Sequence, residues 1–364
     1  AAHVARAELA RRQLSPDAFD YGVLGLSVPQ KHSFYGLPWV AGMAGLGTLA
    51  GPTVMQACAT GVRVMLAAAQ EIEAGIASCA LALTCDRTSN GPHLYYPNPR
   101  GPGGTGEHED WVLGNFNRDP LGGHAMLATA ENVAKKFGIE TAEQHAIVLD
   151  REAGYKEAVS SGFHRRFMAL PFDVPDANFR KTVGVLEGDD GIRFSTEPEL
   201  AKLRPVLEGG TVTYGGQTHP ADGNAAIVLA TPGRARELSR DPAVRIRILG
   251  FGQCRTTLAH MPEAPGPAAQ RALAQAGLGI GDMSAIKTHN PFALNDIVLA
   301  RTTGADPQRM NRLGCSLVWG HPQAPMGTRS VIELIEELVL AGGGHGLFTG
   351  CAAGDSAMAV VVQV

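Results

Sequence analysis

Several things this chain has little of narrow its chemistry before any motif is considered. Its six cysteines, at 58, 79, 85, 254, 315 and 351, form no C-x-x-C pair, which argues against a zinc knuckle or a dithiol redox motif. No apolar run approaches the ~20 residues that span a bilayer. Charged side chains are only 18% of the 364 residues and the net charge is -4, so there is no electrostatic footprint for nucleic acid or an acidic membrane. The Gly103-Gly104-Thr105-Gly106 run lacks a following Lys-Ser/Thr and is not a P-loop. The C-terminal Val360-Val361-Val362-Gln363-Val364 carries neither a Ser-Lys-Leu tail nor a prenylation motif. A secretory pattern is also missing, and scattered cysteines in so long a chain read as reduced and cytoplasmic. There is no initial Met. The chain opens Ala1-Ala2-His3 directly in a helical pattern, where an α/β unit is expected to open with a strand. We expect upstream residues to lie outside this sequence, together with any N-terminal targeting signal.

What is present is a large apolar content, 45%, with 45 glycines set mostly in short turns between apolar runs. That suffices for two domains of about 150–200 residues and suits a compact α/β protein. Periodicity predicts helices over 2–13, 62–74, 129–137, 141–158, 267–277, 291–302 and 327–342. It predicts buried strands over 21–26, 79–84, 222–230, 244–251, 284–288, 346–350 and 357–364. Thr141 before Glu143 and Gln144 reads as a capping box. Residues 88–218 differ from their flanks, with Pro92, Pro97, Pro99 and Pro102 marking loops. The expected division is a core domain of 1–87 plus 219–242, a loop domain of 88–218 covering the site, and a second core domain of 243–364. Each core domain has a reactive residue in a turn leading into a long helix, as a duplicated α/β unit would.

Three reactive residues sit in Gly-flanked turns: Cys58 in Gln56-Ala57-Cys58-Ala59-Thr60-Gly61, His321 in Gly320-His321-Pro322, and Cys351 in Gly350-Cys351-Ala352-Ala353-Gly354. A thiol, an imidazole and a second thiol suit acyl transfer through sulfur. At the start of a helix, Cys58 is expected to have its thiolate favoured by the first-turn N–H groups. Each also has a plainer reading: Cys58 as a small core residue, His321 as a turn histidine held by a carbonyl, Cys351 as a buried strand end. Cys79, Cys85, Cys254 and Cys315 read as structural. His93, His108, His124 and His219 lack metal-ligand spacing, and no metal is expected.

These segments, in this order, resemble the thiolase family. The match includes Thr53-Val54 before Cys58, Thr129-Ala130-Glu131-Asn132, Leu200-Ala201-Lys202, Asp222-Gly223, Gly320-His321-Pro322 with Gly327 and Arg329, and Cys351. The resemblance implies two layered α-β-α-β-α halves with an inserted loop domain. It implies CoA-dependent cleavage of a 3-ketoacyl-CoA, or the reverse Claisen condensation, with CoA as co-substrate and no permanently bound cofactor. By resemblance Cys58 is the nucleophile, His321 takes its proton, and Cys351 is the acid/base. His289 stands where many relatives have Asn, because the segment here is His289-Asn290-Pro291-Phe292. That is closer to the sterol-carrier-type branch. Asn290 shares or replaces the His289 role, and the N–H groups of Cys58 and Ala353 form a second oxyanion hole, provided Ala353 has negative φ. Arg193, Lys202, Thr218, Phe292 and Met126 are the implied substrate-binding residues, Arg193 and Lys202 having a solvated surface role as their plain alternative. A homodimer or dimer of dimers follows from the relatives, and this branch leaves room for a small accessory subunit. Two other readings stand beside this one. A ketoacyl or hydroxymethylglutaryl synthase-type enzyme would not need Cys351, and a thiolase-like subunit would have no catalysis at all.

Overall fold

The computed structural model describes residues 1–364. The first segment runs α1 (Ala2–Arg11), β1 (Tyr21–Gly25), α2 (Gly36–Ala44), β2 (Thr53–Val54), α3 (Thr60–Glu73) and β3 (Cys79–Arg87). The middle carries a hairpin of β4 (His93–Tyr96) and β5 (Glu107–Asp110), then α4 (Leu113–Asn117), α5 (Met126–Phe137) and α6 (Thr141–Ser160). A second hairpin, β6 (Phe172–Pro175) and β7 (Thr182–Leu186), and a short α7 (Glu197–Leu200) complete it. The chain continues through β8 (Asp222–Ala230), α8 (Pro232–Leu238), β9 (Arg247–Arg255), α9 (Pro265–Ala276) and β10 (Met283–His289). It ends with α10 (Leu294–Thr303), α11 (Ser316–Trp319), α12 (Ala324–Leu340), β11 (His345–Ala352) and β12 (Ser356–Gln363). No helix is long and apolar enough to cross a membrane.

Two four-stranded sheets form, in the orders β2-β1-β3-β8 and β10-β11-β12-β9. They repeat one pattern: β1 and β3 are parallel with β8 antiparallel, and β10 and β11 are parallel with β12 antiparallel. Side-chain alternation along the strands sorts the core into layers. On β12, Met358, Val360 and Val362 join the cluster with α3 and α12, whereas Ala357, Ala359 and Val361 join the cluster with α9. On β3, Ala80 and Ala82 face α3, and Cys79, Leu81 and Leu83 face α1 and α2. The sequence of layers is α1/α2, first sheet, α3/α12, second sheet, α9. The two central helices are shared filling between the sheets.

Three local expectations are corrected. Residues 222–230 form the strand expected, but not a buried one. Asp222, Asn224, Ala226 and Val228 are exposed, because β8 pairs only on its β3 side, whereas its counterpart β12 is covered by β9. Thr141 is the first helical residue and caps nothing; its hydroxyl donates to the Thr211 carbonyl at 2.7 Å. The capping box forms instead at Thr196 and Glu199. Residues 36–44, where periodicity predicted no helix, form α2.

α3 follows Cys58 and α12 follows His321, so the contact between these helices sets the distance between the two residues. Gly61 makes that contact close: a Cβ there would lie 2.5 Å from the Thr328 nitrogen and 2.8 Å from the Ala324 carbonyl oxygen. Backbone atoms cannot yield as a flexible side chain can. Gly61→Ala is therefore expected to cost about 1–3 kcal/mol and to lower Cys58 reactivity as well. Denaturant unfolding and Cys58 alkylation, measured on the same preparation, would check both effects.

Candidate active site

Cys58 lies two residues before α3, in a turn closed by Thr60, whose hydroxyl donates to the Ala57 carbonyl and accepts from the Gln56 N–H. Ala57 itself has φ +44°, a left-handed conformation that a non-glycine residue adopts at a cost. The thiol is only 7% exposed. Burial pushes it up to about 11; the N–H groups of Ala353 and of Cys58 itself oppose this, and the Asp86 carboxylate adds to it. This corrects the expectation of a thiolate favoured at the helix start. Desolvation of the anion outweighs the partial positive charge of the helix end.

The His321 N–H donates to the His219 carbonyl at 2.7 Å, which orients the turn, and His321 Nε2 lies 3.1 Å from Cys58 Sγ. Burial pushes the imidazole down to about 3. The resting pair is thus a neutral thiol donating to a neutral ring. His289 ends β10, in register with Gly350. A Cβ at Gly350 would lie 2.7 Å from His289 Cβ, so the glycine before Cys351 is what admits the ring. His289 Nδ1 lies 3.0 Å from Ser316 Oγ, and its Nε2 is buried without a protein partner. The two rings are 4.3 Å apart between centroids. Burial, and secondarily His321, hold His289 well below the usual imidazole range. Cys351, fully buried, accepts from Asn295 Nδ2 at 3.4 Å. Its thiol is pushed well up by burial and, next, by the Cys58 sulfur.

Cys58, His289 and His321 bring their ligand atoms within 4.8 Å of one another, the one group in the chain with the closeness a metal ion requires. His93, His108, His124 and His219 do not join it; His93 and His108 pair with each other at an exposed hairpin. All six cysteines are free thiols.

The other expected site residues divide. Ala353 follows the end of β11, its φ is not positive, and its N–H reaches the Cys58 sulfur. Phe292 is buried beside Cys351, with Met126, the first residue of α5, packed on the same cluster. Asn290 is fully committed elsewhere. Its Nδ2 donates to Asp296 and Cys315, and its Oδ1 accepts from Ser316 and Leu317. That leaves no donor for an oxyanion, so the sharing of the His289 role expected for it is corrected. Thr218 spends its hydroxyl on the Ser316 carbonyl at 2.5 Å. Arg193 and Lys202 are exposed.

Four residues at the site escaped the sequence reading. Gln323 directs Oε1 to Cys58 Sγ at 3.7 Å, Asn295 holds Cys351, and Ser316 orients His289. Asp86, at the end of β3, accepts from the Ser27 N–H and hydroxyl, the Val28 N–H and the Ala324 N–H. Its carboxyl is pushed up to about 6 by burial against those donors, and it ties the first sheet to the start of α12. Beneath His289, Asp296 gathers Arg151, Thr288, Asn290 and Asn311, a satisfied buried network that fixes the end of β10. Only the position of Asn295, five residues after Asn290 in an apolar helix, was a signal in the sequence.

Comparison with known proteins bears directly on this arrangement. The description "Thiolase, N-terminal domain" matches residues 1–232, and "Thiolase, C-terminal domain" matches residues 243–364. The beta-ketothiolase BktB of Cupriavidus necator is 29% identical over 368 residues, covering 99% of this chain and 91% of that protein. An acetyl-CoA acetyltransferase of Escherichia coli K12 is 30% identical over 87% of this chain and 80% of its own length. The human mitochondrial 3-ketoacyl-CoA thiolase solved in complex with CoA superposes with a TM-score of 0.89 at 27% identity, covering 99% of this chain and 90% of that one.

The depressed His321 pKa has a thermodynamic consequence. Between pH 6 and 4 the unfolded chain protonates this histidine and the folded chain does not, so stability is lost as pH falls. Asp86, with its raised pKa, acts in the opposite sense and is left in place by a change at 321. In His321→Asn the loss of stability over this window should be shallower, by up to about 1.4 kcal/mol per pH unit, in urea unfolding at a series of pH values.

Proposed function

The chain belongs to the thiolase family, and from that premise we propose that it is a CoA-dependent thiolase working through a thioester on Cys58. The observation that carries the proposal is the 3.1 Å approach of His321 Nε2 to Cys58 Sγ, with the Ala353 N–H, two residues after Cys351, directed at the same sulfur.

In the cleavage direction His321 accepts the Cys58 proton as the sulfur attacks the 3-keto carbon of a 3-ketoacyl-CoA. A buried neutral pair separates no charge at rest, so the sulfur turns anionic only as His321 takes its proton for the attack. The developing oxyanion on that carbon meets the N–H groups of Cys58 and Ala353. The C2–C3 bond then breaks, leaving the acyl group on Cys58 and an enolate of acetyl-CoA or its equivalent. His289 and His321 stabilise the enolate oxygen while Cys351 delivers a proton to carbon. CoA enters and loses its thiol proton to the Cys351 thiolate. Its sulfur attacks the thioester, and acyl-CoA leaves as Cys58 recovers its proton from His321. The reverse order of steps is Claisen condensation. Phe292 and Met126 line the acyl side, and Thr218 fixes the wall behind His289. Arg193 and Lys202, exposed cations, suit the phosphates of CoA.

We assign 1–87 with 219–242 and 243–364 as the two core domains, and 88–218 as the loop domain. His289 in the place of the more common Asn favours the sterol-carrier-type branch. The two-residue β2 on the outer edge of the first sheet suits pairing with a second copy.

The synthase-type alternative does without Cys351, and a buried Cys351 thiol held by Asn295 Nδ2 favours the thiolase reading over it. A panel of 3-ketoacyl-CoA substrates with free CoA, followed by substrate loss and acyl-CoA products, tests the activity. Cys58→Ala should fold and form no acyl-enzyme, and a covalent acyl adduct elsewhere on that variant would overturn the assignment. Cys351→Ala should still acylate Cys58 from an acyl-CoA yet lose thiolysis by at least about 100-fold; retained thiolysis would point to the synthase-type chemistry. Sedimentation at micromolar concentration should give a dimer.

A further inference from the structure

Gln323 follows the Gly320-His321-Pro322 turn and directly precedes α12. It is 5% exposed, and its backbone sits at φ +57°, ψ −108°. That is a region glycine enters freely and other residues enter at a cost. A long polar side chain is therefore held, buried and strained, at a position where glycine would be easier. What the side chain touches is the nucleophile: Oε1 lies 3.7 Å from Cys58 Sγ, and Nε2 donates to no protein atom.

We propose that Gln323 is a catalytic residue that stabilises the Cys58 thiolate through its amide N–H. The proposal rests on Cys58 being the nucleophile. The thiol has one hydrogen and two acceptors, His321 Nε2 at 3.1 Å and Gln323 Oε1 at 3.7 Å. When that hydrogen passes to His321, an amide oxygen facing the sulfur anion is repelled. A half-turn of the planar amide places Nε2–H in the same space and turns an acceptor into a donor. No bond is made or broken in Gln323 and no proton leaves it. The group acts only by accepting from S–H in one state and donating to S⁻ in the next. This supplies near the sulfur part of what burial removes, because a donor to a buried anion is worth more than the same donor in water. Asp86 supports the geometry, since its carboxylate holds the Ala324 N–H immediately after Gln323.

The test is the pH dependence of Cys58 alkylation by iodoacetamide, located by peptide mapping, with thermal unfolding measured alongside. Gln323→Met keeps the length and loses the donor. Gln323→Gly removes both the side chain and the strain, and Gln323→Glu replaces the donor by an anion. Alkylation at neutral pH should slow by about 10- to 100-fold in the Met and Gly variants, with the pH midpoint moved upward by one to two units. It should move further in the Glu variant. The Gly variant should keep or raise its melting temperature, so that lost reactivity cannot be ascribed to lost structure. Folded Met and Gly variants with an unchanged midpoint would overturn the proposal while leaving the thiolase reading intact. An unreactive Cys58 in the unaltered protein would overturn both.

Discussion

The site exists because two helices from different halves of the chain cross closely at a glycine, Gly61. Cys58 and His321 are 263 residues apart, and each is placed by the helix that follows it. Gly61 lets α3 approach the backbone of α12 at Thr328 and Ala324. The Thr328 hydroxyl then donates to the Gly61 carbonyl at 3.4 Å, and Asp86 binds the Ala324 N–H. Small residue, backbone contact and buried carboxylate together fix one distance, from sulfur to imidazole. The layered arrangement serves this contact: each sheet buries one face of the helix pair, so neither helix can shift without opening a core.

Enclosure on that scale changes how the chemistry is driven. A thiol held near 11 and an imidazole held near 3 do not form an ion pair at rest, so the site does not store a ready thiolate. In the proposed mechanism its contribution is a set of donors placed where negative charge would appear: the N–H groups of Cys58 and Ala353, and the rings of His289 and His321. Preorganised donors in a water-poor site act on the transition state without reorganising. Cys351 follows the same logic. Burial raises its thiol and the Asn295 amide partly opposes this, which keeps it protonated until an enolate is present to take the proton.

What the sequence revealed and what it hid follow from the range of the interactions involved. The turns at Cys58 and His321 were legible because glycine and small residues mark them locally; Cys351, expected in a turn, instead lies in β11 paired with Ala357, and the order of the three segments carried the family resemblance. The long helices and most of the core strands were legible from periodicity, whereas α2, α8 and the two hairpins were not. The exposure of β8 was not, because an apolar nine-residue run reads alike whether one edge is paired or both. The Cys58 pKa was misread for the same reason. The helix start is local, but the burial that raises the thiol is made by packing against segments distant in sequence, such as α12 and the His321 turn. Gln323, Asn295 and Ser316 are ordinary polar residues in their own segments and acquire meaning only through the groups opposite them. Asn290 shows the converse: its neighbour His289 made it look functional, but Asp296, Cys315 and Ser316 occupy its amide.

The hydrogen bonds around the two rings also determine which protons are available. For His289 to steady an enolate oxygen, its Nε2 must carry the hydrogen, so Nδ1 must accept one. Ser316 has a single hydroxyl hydrogen and two acceptors, His289 Nδ1 at 3.0 Å and Asn290 Oδ1 at 3.3 Å. Giving it to the histidine leaves Asn290 Oδ1 bound to the Leu317 N–H, so no buried group is orphaned by the required tautomer. His321 is different, because its Nδ1 is buried without a protein partner. No carboxylate stands behind it to hold an imidazolium, which agrees with its low pKa. In the proposed cycle a proton received from Cys58 would therefore be held weakly, and the ring would return it readily when CoA displaces the acyl group. Under that proposal the same unsupported ring is a poor resting base and an efficient acid in the second half of the cycle.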